Sequence, residues 1–180
     1  MKILTYNEFF EREAMRRVGW EIELGRKTAL RYGKELVEEQ WYKIQQQLYV
    51  LMGCVGKLKD KNVLDLGCGC NYSFVFDGDR DRAGETYSPW LCRALHEIGA
   101  RAIGVDNGSL EGELFEHHEG VNLAIPNSLG FIPDYSIDIA NARLLFSSPE
   151  VFGNSEKLKQ ELLLQMERIV KPGGYFVYQN

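Results

Sequence analysis

From Asn62 onward the chain alternates short β-prone runs with helical stretches, and few folds accommodate that rhythm. The runs are "NVLDLG", "RAIGVD", "GVNLA", "SIDIANARLLF" and "GYFVYQN", while "SPWLCRALHEIG" and "SEKLKQELLLQMERIV" have helical periodicity. A parallel strand is buried on both faces and returns through a crossover helix, so it reads as an apolar run followed by an amphipathic stretch. The expected class is therefore α/β: a doubly wound, mainly parallel sheet with one strand per run, five in all.

Local signals agree with this plan. In the first helix Ser88 is the expected cap and Pro89 the first helical residue; Trp90, Leu91, Ala94, Leu95 and Ile98 share a face, and Gly99 ends it. In the second, Leu158, Leu162, Met166 and Ile169 form the buried stripe, and "KPGG" turns the chain into the last strand. Ahead of the sheet, Val37, Trp41, Ile44, Leu48, Leu51 and Val55 recur at helical intervals, and a shorter helix is expected over residues 7–17. Two regions follow: a helical extension packed on the core over 1–57, and a ligand-binding domain over 58–180.

Composition narrows the function. The 180 residues carry a net charge of −5 and no basic run with interleaved aromatics, so nucleic acid is not an expected partner. The longest apolar stretch, near Leu48 to Val55, is too short to span a bilayer, and the N-terminus lacks a signal-peptide pattern. A cytoplasmic protein with no membrane partner is expected. The four cysteines show no CxxC spacing and are expected to be reduced thiols.

The chemistry concentrates in "NVLDLGCGCNYS", residues 62–73. In an open parallel sheet, ligands bind beyond the carboxyl ends of the strands, where the strand order reverses. Gly67 and Gly69 let the backbone turn sharply there, and Asp65 adds a carboxylate. A dinucleotide fingerprint would need a small residue where Tyr72 stands, and GxxxxGK[ST] is absent, so the turn is not built for pyrophosphate.

Four ordered blocks, "VLDLGCGCN", "AIGVDNG", "YSIDIANARLLF" and "MERIVKPGGYFVY", resemble the class I S-adenosylmethionine-dependent methyltransferases over residues 60–180. The resemblance implies a Rossmann-like sheet with S-adenosylmethionine as cofactor. It places Asp65, Gly67, Gly69 and Asn71 at the methionine portion, Asp106 and Asn107 at the ribose, Asn122 and Leu123 at the adenine, and Asn141, with Arg143 nearby, beside the acceptor. A carboxylate suits the ribose, since each oxygen can accept from one hydroxyl; the plainer alternative for Asp106 is a capped or solvated turn. The expected activity is methyl transfer to a small molecule or another unidentified acceptor, an in-line displacement needing alignment and water exclusion but no dedicated nucleophile. No catalytic residue is assigned, in keeping with the absence of G-x-S-x-G and "NPPY".

Three departures set the alternatives. Asn71 stands where the family has a third glycine. The interval from Asp65 to Asp106 is about twice the ~20 residues usual between glycine turn and ribose acid in dinucleotide folds. The excess is the charged "FVFDGDRDRAGETYS", residues 74–88, expected to act as a lid with Tyr72 and Tyr87 as contacts, the plainer alternative being a solvated loop. The chain also ends at the fifth strand, whereas the family adds two more. That leaves an edge for the N-terminal helices or a partner to cover, and raises the expectation of a homo-oligomer through it. The second reading is thus a catalytically inactive methyltransferase-like protein that binds the cofactor or serves as a scaffold; a changed reaction such as aminopropyl transfer, and a nicotinamide enzyme, come after it. His117 and His118 are expected in a surface turn, with no metal site.

Overall fold

A computed structural model of the chain describes residues 1–6, 27, 38–70, 88–143, 145–147 and 155–179. In chain order these form β1 (Lys2–Thr5), α1 (Glu38–Val55), β2 (Asn62–Leu66), α2 (Trp90–Ile98), β3 (Arg101–Val105), β4 (Glu116–His118), β5 (Ile137–Arg143), a 3-10 turn (Leu145–Ser147), α3 (Ser155–Ile169) and β6 (Val170–Gln179). The strands make one sheet in the order β1-β6-β5-β2-β3-β4, and every pairing is parallel. The α/β class stands, with six strands among the described residues and not five.

The additional strand is β1. Ile3 and Leu4 pair with Phe176 and Val177, so a strand lies on the side of β6 that the N-terminal helices or another chain had been expected to cover. The opening residues are therefore part of the sheet, and the edge on which self-association was expected is already paired. The third predicted strand also moves: "GVNLA" is not extended, and the paired residues are Glu116 to His118, bonded alongside Ile103 to Val105. This short outer strand carries both histidines, which a surface turn had been expected to hold.

Helices cover both faces. On one, Ile44, Leu48 and Leu51 of α1 and Leu91, Ala94 and Leu95 of α2 share a core with Val63, Ala102 and Ile139 of the sheet. On the other, Leu158, Leu162, Met166 and Ile169 of α3 pack with Leu64, Val105, Ala140 and Phe176. Helix α2 starts one residue later than predicted, with Pro89 in the cap position. At its end the N–H groups of Gly99 and Ala100 donate to the carbonyls of His96 and Leu95, the paired closure that ends a helix at glycine. The expected helix over 7–17 lies outside the described residues.

Strand β6 contains its own turn. Val170 pairs with Ile137, and the next pair is Tyr175 with Ile139, so Lys171 to Gly174 bulge outward. A Cβ on Gly174 would lie 2.7 Å from the Asp138 carbonyl oxygen and 3.0 Å from that of Lys171, both backbone atoms with little room to yield. Gly174→Ala should therefore lower stability by about 1–3 kcal/mol, read as a reduced urea midpoint at unchanged slope.

Candidate functional site

The order β4-β3-β2 runs one way from the centre and β5-β6-β1 the other, so the direction of winding reverses between β2 and β5. A crevice opens at the carboxyl ends of strands flanking such a reversal. Asp65 of β2 and Asn141 of β5 are register partners across it.

The glycine turn follows β2 directly. Gly67 and Gly69 have φ of +65° and +91°, a region L side chains rarely adopt, which explains why the sequence places glycine at both. The turn is fastened inward: the N–H groups of Gly67 and Cys68 donate to the Val105 carbonyl at 2.8 and 3.2 Å. Gly69 N–H donates to Asp106 Oδ2 at 3.0 Å. Asp106 Oδ1 accepts from the Gly108 N–H at 2.9 Å. The two turns predicted to share a ligand are thus joined through one carboxylate, which keeps further lone pairs because each oxygen can accept twice. Asn107 lies beside it, half-buried.

Beneath the turn sits a buried polar chain. Tyr6, just past β1, donates its hydroxyl to Asn141 Oδ1 at 2.7 Å. Asn141 Nδ2 donates to Asp65 Oδ1 at 2.6 Å and reaches Gln47 Oε1 of α1 at 3.3 Å. Cys92 of α2 donates its thiol to Asp65 Oδ2 at 3.7 Å. Asp65 is only 4% exposed. Burial pushes its carboxyl up to about 7, against the hydrogen bonds from Asn141 and Cys92 that favour the anion; Asp106 adds to the rise and Arg143 opposes it. Burial also raises the Cys68 and Cys92 thiols, so both stay protonated and neither is an activated nucleophile.

Arg143, at the end of β5, is held by the Lys43 carbonyl, Gln46 and Gln179. It ties α1 to the same end of the sheet. The proposed adenine neighbours lie apart from these groups. Asn122 is exposed and accepts from the Ala124 N–H in a local turn, while Leu123 is buried in the core on the α3 face. Asn71, Tyr72, Tyr87 and the expected lid up to residue 87 lie outside the described residues.

The structure thus gathers Asp65, Gly67, Gly69, Asp106, Asn107 and Asn141 at the carboxyl end of the sheet, beside the reversal of winding. Tyr6, Gln47 and Cys92 join them without having been predicted. A signal existed for Tyr6: "KILT" before it is a short β-prone run, and a residue following a parallel strand falls at the sheet's functional end.

Among the described residues no group of histidine, cysteine and carboxylate side chains is arranged to hold a metal ion. None of the four cysteines is joined in a disulfide. No described helix is long and apolar enough to cross a membrane. Comparison with known protein families finds no family that matches the chain, and no curated protein matches its sequence.

Proposed function

We propose that this protein is an S-adenosylmethionine-dependent methyltransferase that uses the β2–β5 crevice to hold its cofactor. The reading is carried by how the glycine turn uses its hydrogen bonds. Phosphate-binding turns aim backbone N–H groups at the anion, but here those of Gly67, Cys68 and Gly69 point inward to Val105 and Asp106. Among the described residues, the carboxylates of Asp65 and Asp106 lie against the turn, where they would repel a pyrophosphate. A ligand with a cationic end and a vicinal diol suits this setting, and S-adenosylmethionine has a sulfonium, an ammonium and a ribose.

Asp65 then supplies the negative charge under the methionine end and Asp106 accepts from the ribose hydroxyls. Bound there, the cofactor supplies an activated methyl group. The chain's own residues hold it, exclude water and align an acceptor, here taken as a small molecule. The protonated state of Cys68 and Cys92 accords with a transfer that forms no enzyme-bound intermediate.

Calorimetry with S-adenosylmethionine and S-adenosylhomocysteine tests the assignment. Both should bind saturably, and a nicotinamide dinucleotide should give no heat. Asp106→Asn, which keeps the shape and one acceptor, should weaken binding about tenfold or more through the lost charged hydrogen bonds. Absence of heat with both adenosyl ligands would remove the cofactor assignment. Transfer of a labelled methyl group into a cell extract then separates an enzyme from a binding protein.

A further inference from the structure

The polar chain beneath the turn has a direction. Tyr6 can donate to Asn141 only if the amide oxygen faces it, and this turns the amide nitrogen toward Asp65 and Gln47. Reversing the amide would set its oxygen against the Asp65 oxygen, an arrangement tolerable only if Asp65 carried a proton.

We propose that Tyr6 is a positioning residue of the site: by fixing the Asn141 amide, the hydroxyl delivered by the N-terminal strand keeps Asp65 anionic and therefore receptive to a cationic ligand. The strand that completes the sheet thereby completes the binding site at the same end. Other groups face Asp65 from each element around it. Cys92 comes from α2, Cys68 from the glycine turn, Asp106 from the end of β3 and Arg143 from β5. From β1 comes Tyr6 itself, which burial keeps un-ionised; Cys54 of α1, raised to about 11, faces the Tyr6 hydroxyl. Asp65 has its ionisation displaced to near neutral pH.

The inference rests on the reading of Asp65 as cofactor-facing, but part of its test does not. Aspartate carboxyl carbons labelled for NMR report Asp65 directly, without ligand. In Tyr6→Phe its titration should move upward by about one pH unit, the consequence of weakening one charged hydrogen bond. S-adenosylhomocysteine affinity in the same variant should fall about fivefold near pH 7 and return toward wild type by pH 8.5, when Asp65 is mostly ionised in both. A purely structural role would lower affinity by one factor at every pH.

An Asp65 titration unmoved in folded Tyr6→Phe overturns the proposal. Should the variant fail to fold, the wild type decides, since the Asn141 side-chain amide signals must shift together with Asp65; signals that ignore its titration also overturn it. If wild type binds no S-adenosylhomocysteine while the Asp65 titration moves as expected, the cofactor assignment fails and the role of Tyr6 in holding Asp65 anionic stands.

Discussion

Glu113→Ala should cost about 3–5 kcal/mol of stability, because it removes the carboxylate that a buried guanidinium faces. Arg93 projects from α2 and Glu113 follows β3, and their side chains are 1% and 2% exposed. Arg93 Nε donates to Glu113 Oε1 and Oε2 at 3.2 and 3.0 Å, and Nη2 donates to Oε1. The guanidinium also lies 4.6 Å from the centre of the Trp90 ring. In water each ion would be solvated; in the core the two compensate each other's lost solvation, so removing one leaves much of its partner's desolvation penalty unmet. Against a total stability of about 5–15 kcal/mol for an ordinary domain, that loss should bring unfolding near physiological temperature.

The same reasoning makes the double replacement informative. Arg93→Met with Glu113→Leu removes both charges and fills most of the volume, so it should recover most of what Glu113→Ala loses. Urea denaturation of the three proteins checks this. A single-variant cost below about 1 kcal/mol would mean that the pair contributes no more than a surface ion pair. The pair also joins α2 to the segment beyond Asp106, so the partly destabilised single variant should bind adenosyl ligands more weakly than the double one.

What could be read from the sequence follows from which interactions are local. Strands β2, β3 and β5 announce themselves because a central parallel strand must be apolar on both faces, and the stripe in α3 repeats with the helix period. Strand β1 does not, since four half-exposed residues at a sheet edge carry no periodicity and pair with residues more than 170 positions away. Strand β4 misleads for a related reason. "GVNLA" has the better β composition, yet register with Ile103 to Val105 selects the polar Glu116 to His118, a composition an outer strand tolerates.

The site divides the same way. Glycines whose φ no other residue adopts cheaply, and an acidic residue ending a strand, leave a local trace at Gly67, Gly69 and Asp106. The convergence of Gln47 and Cys92 on Asp65 and Asn141 leaves none, and that of Tyr6 only the faint one of the β-prone run before it, because the cluster exists only after β1, α1 and α2 have docked.

That convergence makes Asp65→Asn the replacement expected to raise stability while removing function. Burial lifts the Asp65 carboxyl from its ordinary value near 3.8 to about 7 in the folded chain. Between those limits the folded protein holds a proton that the unfolded chain releases, so this group's contribution is fully present below about pH 4 and is lost as pH rises toward 7. Three pH units at about 1.4 kcal/mol each give a loss of up to roughly 4 kcal/mol. Asparagine keeps an oxygen to accept from Asn141 and never ionises, so it escapes the loss. Urea or thermal unfolding from pH 4 to 8 should therefore show a stability difference, variant minus wild type, that grows with pH and levels off above about 7; the other carboxylates are common to both proteins and cancel. A difference independent of pH would mean that Asp65 is not a strained anion. Adenosyl ligands should meanwhile lose most of their affinity for the variant, because the negative charge that destabilises the empty crevice is the one a cationic ligand needs. A protein that became more stable and still bound them equally well would show that the charge serves neither purpose.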